Sequence, residues 1–513
     1  MSKVTTYMTG RALSLFLAIG FNILIVKVMV PAEYASYAVL VAGASLVNTA
    51  AGLGSQRLVP KVIGMAGNRM AYRRAIAIYR MILLARTIAL LLVSTATFYF
   101  FRWSLGSNVH LGANLLIPYV IYSTFAALYL DVESASQSLN QQKLSRMVAI
   151  GEPLLRLVTV GVMALGAFSN STHSLLVISC GTQAMATLSL GLNNFRSLLR
   201  GLRRDVADVA RAGMSLREIL HLGASAYIGG LAWIATGPPT LRLVAASVLP
   251  AQGIAVLSFV QSLGGSFQRY SPGFLVLPFV ESQVMRNTSE LGYAQKTVSL
   301  LGIVWKIDMI ISLIAICAII PASSMLLALI ARPEFAPYGA YIGLVILPVP
   351  FGTVNRVLEV GSVYVNNFNA ILKSSALTLV SLGMLFALKS EFGVIFILLI
   401  PIIDNILRCG ALDYQLRQRG LVGVVNWRSL LSVTILCLVV TMTAFLTVGE
   451  PRIIQIGLSV LMTLVAIFAL KLSGIVTSAE TKLIADRLPA AAKGWPAVLF
   501  GKSWRLPSRH EAG

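Results

Sequence analysis

The sequence predicts an all-α polytopic membrane protein: about 14 transmembrane helices, forming two six-helix lobes related by pseudo-twofold symmetry, plus two extra C-terminal helices. Three observations predict it. The 513 residues are 57% hydrophobic and only 12% charged, with a mean hydropathy of +0.81. A soluble chain carries roughly twice that charge fraction, so the apolar surplus needs lipid to face. Apolar runs long enough to cross a bilayer, about 20 residues each, recur along the whole chain. Finally, a set of landmarks occurs twice in the same order, which points to an internal duplication. Pro31 and Pro250 open matching segments, Pro60 and Pro278 close them, and Glu133 before Asn140-Gln141 matches Glu359 before Asn366-Asn367.

The expected spans lie near 10–30, 35–55, 79–101, 113–133, 147–168, 174–194, 219–237, 251–273, 298–321, 339–360, 368–388, 392–412, 429–447 and 453–473. The first run lacks the short core and small-residue cleavage site of a signal peptide, so it reads as a retained span. Gly229-Gly230, Gly237-Pro238-Pro239 and Gly264-Gly265 predict breaks in the seventh and eighth spans. Such breaks are tolerated at membrane depth where protein or a water-filled cavity satisfies the backbone; close helix packing through glycine is the competing reading.

The 41 Lys and Arg against 19 Asp and Glu give a net charge of +22. In a soluble protein that excess would suggest nucleic acid; here most cations sit in short connections between apolar runs, where they meet lipid head groups. The N-terminus, the connections after even-numbered spans and the tail hold 25 cations, and the other connections hold six. That asymmetry predicts both termini in the cytoplasm. The domain reading is an N-lobe over 1–194, a basic cytoplasmic linker over 195–218, a C-lobe over 219–413, spans thirteen and fourteen over 414–474, and a basic cytoplasmic tail over 475–513. An even number of spans per lobe gives both copies one orientation, as in parallel-repeat transporters.

No catalytic constellation stands out. Cys180, Cys317, Cys409 and Cys437 lie in apolar runs without paired spacing, which excludes a disulfide framework or a metal site of the usual kind. The four histidines are scattered, and no phosphate-binding Gly-rich loop is present, so nucleotide hydrolysis is not expected. No cofactor is expected beyond a coupling ion, proton or sodium.

Pro-Ala-Glu-Tyr-Ala-Ser-Tyr-Ala (31–38), following the first span, resembles the Pro-x-Glu-Tyr-Gly-x-Tyr motif that opens the second span of the polysaccharide-biosynthesis (Wzx-type) flippases; Ala35 stands where that family has Gly. Glu480 to Pro489 resembles their C-terminal end. These proteins belong to the multidrug/oligosaccharidyl-lipid/polysaccharide (MOP) exporter superfamily. The resemblance implies a flippase, not an enzyme, that moves polyprenyl-diphosphate-linked oligosaccharide from the cytoplasmic to the outer leaflet of a bacterial inner membrane by alternating access. It implies the lipid-linked oligosaccharide, membrane lipids and the polymerase and glycosyltransferases of the same pathway as partners, and no nucleic acid. A multidrug exporter of the same superfamily and a lipid II flippase are the alternatives. A membrane glycosyltransferase or ligase is disfavoured by the short outer loops.

Ionisable residues inside the membrane are costly and mark function. Glu152–Arg156 and Asp404–Arg408 at i,i+4 and Arg356–Glu359 at i,i+3 can pair on single helices. Arg11, Arg86 and Arg269 are then expected without partners. Ser258, Ser262, Gly265 and Arg269 share one face of the eighth span beside Gln261 and Gln268; Arg11, Ser14, Ala18 and Asn22 share one on the first; Ser45, Asn48, Gly52 and Ser55 share one on the second. In the resembled family these spans line the central cavity. The expected diphosphate contacts are therefore Arg269, Arg11 and Arg86, with Arg242 at the outer mouth, because the guanidinium fork fits phosphate oxygens. The expected polar lining is Asn22, Asn48, Ser258, Gln261 and Ser262, with Tyr227 and Trp233 as stacking faces for sugars.

Overall fold

The structure is a computed structural model, and it describes residues 3–66, 72–105, 109, 111–139, 141–166, 169–204, 216–271, 273, 277, 293–365 and 367–473. The middle of the basic linker, the Pro278-Phe279-Val280 that follows Leu277 in the second repeat, and the tail lie outside these residues. All regular structure described is helical. The helices are α1 (Lys3–Val28), α2 (Pro31–Ala50), α3 (Ser55–Met65), α4 (Tyr72–Ser104), α5 (Leu116–Ser138), α6 (Gln142–Ala164), α7 (Thr172–Arg204), α8 (Leu216–Ala235), α9 (Pro238–Ala246), α10 (Ala251–Tyr270), α11 (Tyr293–Ile319), α12 (Ser323–Ile330), α13 (Tyr341–Ile346), α14 (Pro348–Tyr364), α15 (Phe368–Ala376), α16 (Thr378–Arg417), α17 (Trp427–Leu446) and α18 (Arg452–Ser473).

Ten segments are long and apolar enough to cross a membrane. Helices α1, α2, α8 and α10 occupy the four other expected spans. The side of α4 shows why lipid is the natural solvent. Tyr79, Arg86, Leu90 and Phe98 are fully buried along one stripe, while Leu84, Ile88 and Leu92 are 65%, 53% and 67% exposed along another. That spacing is one helix face left open, and an apolar face of this size in water would be an aggregation site.

Proline and glycine set the boundaries. Pro31 sits in the first turn of α2 after the extended Val30, where its missing N–H costs nothing and its fixed φ favours helix. Pro238 and Pro239 start α9 in the same way. The expected breaks are thus realised only in part. Gly237-Pro238-Pro239 separates α8 from α9, but α8 runs through Gly229-Gly230 and α10 runs through Gly264-Gly265. A lone glycine weakens a helix without ending it when neighbours carry the packing. A Cβ at Gly229 or Gly265 would meet nothing within 4 Å, so neither serves a close helix contact.

Two further expectations change. Span two ends at Ala50, not near 55, because Leu53 (φ 49°) and Gly54 (φ 70°) turn the chain through left-handed conformations before α3. The turn expected between 388 and 392 is absent: α16 is one helix of 40 residues. Lys389-Ser390-Glu391 contains no helix breaker, so charge alone does not end it.

The chain forms two compact units, residues 1–266 with 378–397, and residues 267–377 with 398–513. In the first unit α1 packs on α6, α5 on α7, and α2 on α5 and α9. With lipid outside, apolar burial gives little drive between helices, so close approach through small residues matters. Gly43 shows it: a Cβ there would run into Phe101 of α4 and the Tyr119 hydroxyl of α5. In the second unit α11 packs against α14, α17 and α18, and its buried Trp305 donates from Nε1 to the Val424 carbonyl at 2.8 Å.

Candidate functional site

Among the described residues of the first unit, three polar groups are built around the arginines Arg86, Arg242 and Arg156. The first is built on α4. Arg86 is fully buried and ion-paired at 2.7 Å with Asp131 of α5. The same carboxylate oxygen accepts from Ser55 Oγ at 2.9 Å. Arg86 also donates to Asn48 Oδ1 and, at 3.4 Å, to the Ala127 carbonyl. The expectation that Arg86 lacks a partner is therefore overturned. Its acid lies 45 residues away in sequence, beyond the reach of helical spacing rules. Asn48 and Ser55, expected as one stripe on one helix, instead converge on this pair from two helices.

The second group forms around Arg242. It was expected in an outer loop, and it lies on α9. Its Nε donates to Gln261 Oε1 at 2.9 Å and its Nη2 to Ser262 Oγ at 3.1 Å. Both partners project from α10, one residue apart. Ser262 Oγ donates onward to the Ser258 carbonyl at 2.8 Å. The hydroxyl of Tyr34, from α2, meets Ser262 and the charge of Arg242. Every partner of Arg242 found among the described residues is neutral.

The third group lies on α6 and α7. Arg156 pairs with Glu152 one turn earlier, and its Nε also reaches Thr182 Oγ1 at 3.2 Å. Gln183 Nε2 donates to Glu152 Oε1 at 3.0 Å. The guanidinium lies 5.8 Å from the Phe21 ring centre, a cation–π distance. Tyr37, bonded to Ser179 at 3.4 Å, lies near both Arg156 and Arg242. Tyr122 faces Arg156 from α5.

The structure thus brings Arg242, Gln261 and Ser262 together, and separately Arg86 and Asn48. Ser258 is fully buried beneath the Arg242 group. Asn22 lies half-buried on α1. Arg11 and Arg269 lie on α1 and α10, and their side chains, like that of Trp233, fall outside the described residues. The Tyr227 hydroxyl is used on the Ala50 carbonyl at 2.9 Å. Sequence reasoning passed over Tyr34, Tyr37 and Arg156. The signal for the tyrosines was present, since both belong to the 31–38 motif. Glu33 of that motif serves structure instead: it accepts from the Thr172 backbone N–H at 2.7 Å and from its hydroxyl, capping the start of α7 with negative charge.

The second unit holds its own buried acids. Asp308 of α11 accepts from Ser271 Oγ at 2.9 Å, from the Gly273 N–H and from Thr353 Oγ1 of α14. Arg408 bonds Glu359 at 3.3 Å and lies 3.9 Å from Asp404, and Arg356 lies 3.5 Å from Glu359. The three short-range ion pairs expected from sequence are present. No cluster of His, Cys, Asp or Glu suited to a metal occurs among the described residues.

Comparison with known protein families finds no match, and no curated protein matches the sequence. Among solved structures the fold is similar to that of the lipid II flippase MurJ in an inward closed conformation. The TM-score is 0.61 at 11% identity, over 91% of this chain and 99% of that one. At that identity the likeness establishes the fold.

Proposed function

We propose that this chain is a flippase for a polyprenyl-diphosphate-linked oligosaccharide, moved from the cytoplasmic to the outer leaflet of a bacterial inner membrane by alternating access, with Arg242 taking the diphosphate. The observation that carries the proposal is the neutrality of Arg242's partners. Arg86, Arg156 and Arg408 each have a carboxylate; Arg242 has an amide, a hydroxyl and nearby tyrosines. A guanidinium held in place by neutral acceptors is oriented without being neutralised, which is the state that favours binding a phosphate. Gln261, Ser262 and the tyrosines supply the amide and hydroxyl groups that sugars need.

The fold likeness to a lipid II flippase supports a lipid-linked diphosphate as the cargo, and the 31–38 motif supports an oligosaccharide on it. Lipid II itself is the second reading, favoured by that same likeness. A cation exporter needs an available carboxylate, yet Asp131, Glu152, Glu359 and Asp404 all stand beside arginines. Membrane potential supports the direction, since an inside-negative potential favours outward movement of an anion by about 2.3 kcal/mol per charge per 100 mV. Both termini are assigned to the cytoplasm on the charge asymmetry, and the pathway's polymerase and glycosyltransferases are the partners proposed. The test reconstitutes the protein in liposomes with a fluorescent short-chain polyprenyl-diphosphate oligosaccharide, lipid II, or a cationic dye. Movement of the oligosaccharide carrier alone supports the proposal; movement of the dye alone refutes it; movement of lipid II alone transfers it to the second reading.

A further inference from the structure

We propose that Asp131 is a proton-binding site that couples transport to a proton gradient, acting through Ser55 on the elbow between α2 and α3. The transport step rests on the flippase reading; the movement of the elbow does not.

The site is built. Asp131 is fully buried, and its two oxygens are treated differently. Oδ1 accepts from both Arg86 and Ser55. Oδ2 is buried with no hydrogen-bond partner among the described residues. A buried carboxylate oxygen left bare is costly while charged and accepts a proton without displacing anything. A metal ion would fit poorly, because the Arg86 guanidinium already holds the cation position at 2.7 Å. The groups that meet Asp131 are Arg86 and Tyr79 from α4 and Ser55 from α3, with Asn48 of α2 reached through Arg86. From α7, Asn194 bonds the Val132 carbonyl and Ser136 beside it. Lys61 of α3 is exposed.

The site is also connected. Ser55 is the first residue of α3 and follows Gly54, whose φ is +70°. A Cβ at Gly54 would strike the backbone of Gly223 in α8, so the elbow and α8 touch backbone to backbone. Tyr227 of α8 clamps the same elbow through the Ala50 carbonyl at 2.9 Å. The elbow is therefore pinned twice, by Ser55 to Asp131 and by Ala50 to Tyr227. It lies at the end that the charge asymmetry assigns to the cytoplasm. Protonation adds one O–H bond at Oδ2 and turns the charge-assisted hydrogen bond from Ser55 to Oδ1 into a weaker, neutral one. Arg86 keeps Asn48 and the Ala127 carbonyl as partners. The pin to α5 weakens and the elbow loosens from α5, still held to α8 through Ala50 and Tyr227; the proton returns to water when the carboxylate reforms.

The test places one cysteine at Ala51, buried at the elbow, in a protein whose four native cysteines are replaced by alanine, and follows its alkylation by a membrane-permeant maleimide. Between about pH 8 and about pH 5, with Asp131 present, the rate divided by that of a fully exposed control cysteine, a ratio that cancels the loss of thiolate at low pH, rises about tenfold. In Asp131→Asn it is high and flat with pH. Ser55→Ala, which cuts the link and leaves the ion pair, is also high and flat. Asp131→Asn keeping the parental pH profile, or staying slow throughout, overturns the proposal. If Asp131→Asn does not fold, a parental profile in Ser55→Ala overturns it. In liposomes Asp131→Asn loses stimulation of flipping by a pH gradient and keeps stimulation by potential; retained pH-gradient stimulation also overturns it. If no lipid-linked substrate moves at all while the alkylation pattern holds, the flippase reading falls and the Asp131 switch stands.

Discussion

Arg86 and Asp131 stand 2.7 Å apart, both fully buried, and project from neighbouring helices of the first unit. The second unit places Asp308 and Thr353 in contact at the corresponding spacing. Arg86 and Asp308 are 222 residues apart in sequence, as are Asp131 and Thr353, and Ser55 and Ser271, 216 apart, each donate to the acid of their own unit. The ion pair of one copy corresponds to a neutral donor and acid in the other. This correspondence supports the proposed duplication more strongly than prolines in apolar sequence do.

A buried pair is expensive to break from one side. Arg86→Met should lower stability by about 3–5 kcal/mol, because it strands a charged Asp131. The double change Arg86→Met with Asp131→Leu should recover most of that loss. Thermal unfolding in lipid nanodiscs checks both, and equal destabilisation in the double variant contradicts the account.

The Glu33 cap predicts a structural phenotype for a residue of the recognisable motif. Glu33→Ala should cost about 1–2 kcal/mol through loss of the α7 cap. Glu33→Gln should cost less, since the amide oxygen still accepts from Thr172. Transport per folded molecule should be unchanged in both, measured against protein quantified by size-exclusion chromatography.

Thr353→Val leaves Asp308 with fewer donors in a site closed to water, and should cost about 1–3 kcal/mol. Thr353→Ser should restore the bond and the stability. The comparison of melting temperatures separates loss of the hydroxyl from loss of the methyl group.

Orientation has a direct readout. Ser169→Cys, between α6 and α7, should react with an impermeant maleimide added outside intact cells. Arg419→Cys, after α16, should react only after the membrane is opened. Both positions are exposed to solvent or head groups, so burial does not confound the result. The reverse pattern contradicts the cytoplasmic assignment of the termini.

Much of the fold was legible because hydropathy and proline act locally. The apolar runs locate the helices, Pro31 marks the start of α2, and Glu152–Arg156 pairs through one helical turn. Contacts between distant segments left no such trace. Asp131 could not be assigned to Arg86 from spacing, and Arg242 read as a loop residue because Gly-Pro-Pro signals both the end of one helix and the start of another. Lys389 read as a loop charge because a lone Lys-Ser-Glu in apolar sequence resembles a connection, although none of its residues breaks a helix. Arg156 was set aside as self-satisfied, and its nearness to Tyr37 and Tyr122 appears only once α2, α5 and α6 are packed.

The central claim is that Arg242 carries the diphosphate, and the most direct measurement is the initial rate of flipping of a fluorescent polyprenyl-diphosphate oligosaccharide in proteoliposomes at a fixed inside-negative potential. Arg242→Ala should lower that rate by about tenfold to a hundredfold, the loss of a charge-assisted phosphate contact of about 1.5–3 kcal/mol. Arg242→Lys should recover only part, since the ammonium lacks the planar fork. An Arg242→Ala protein that is folded and flips at the parental rate contradicts the account.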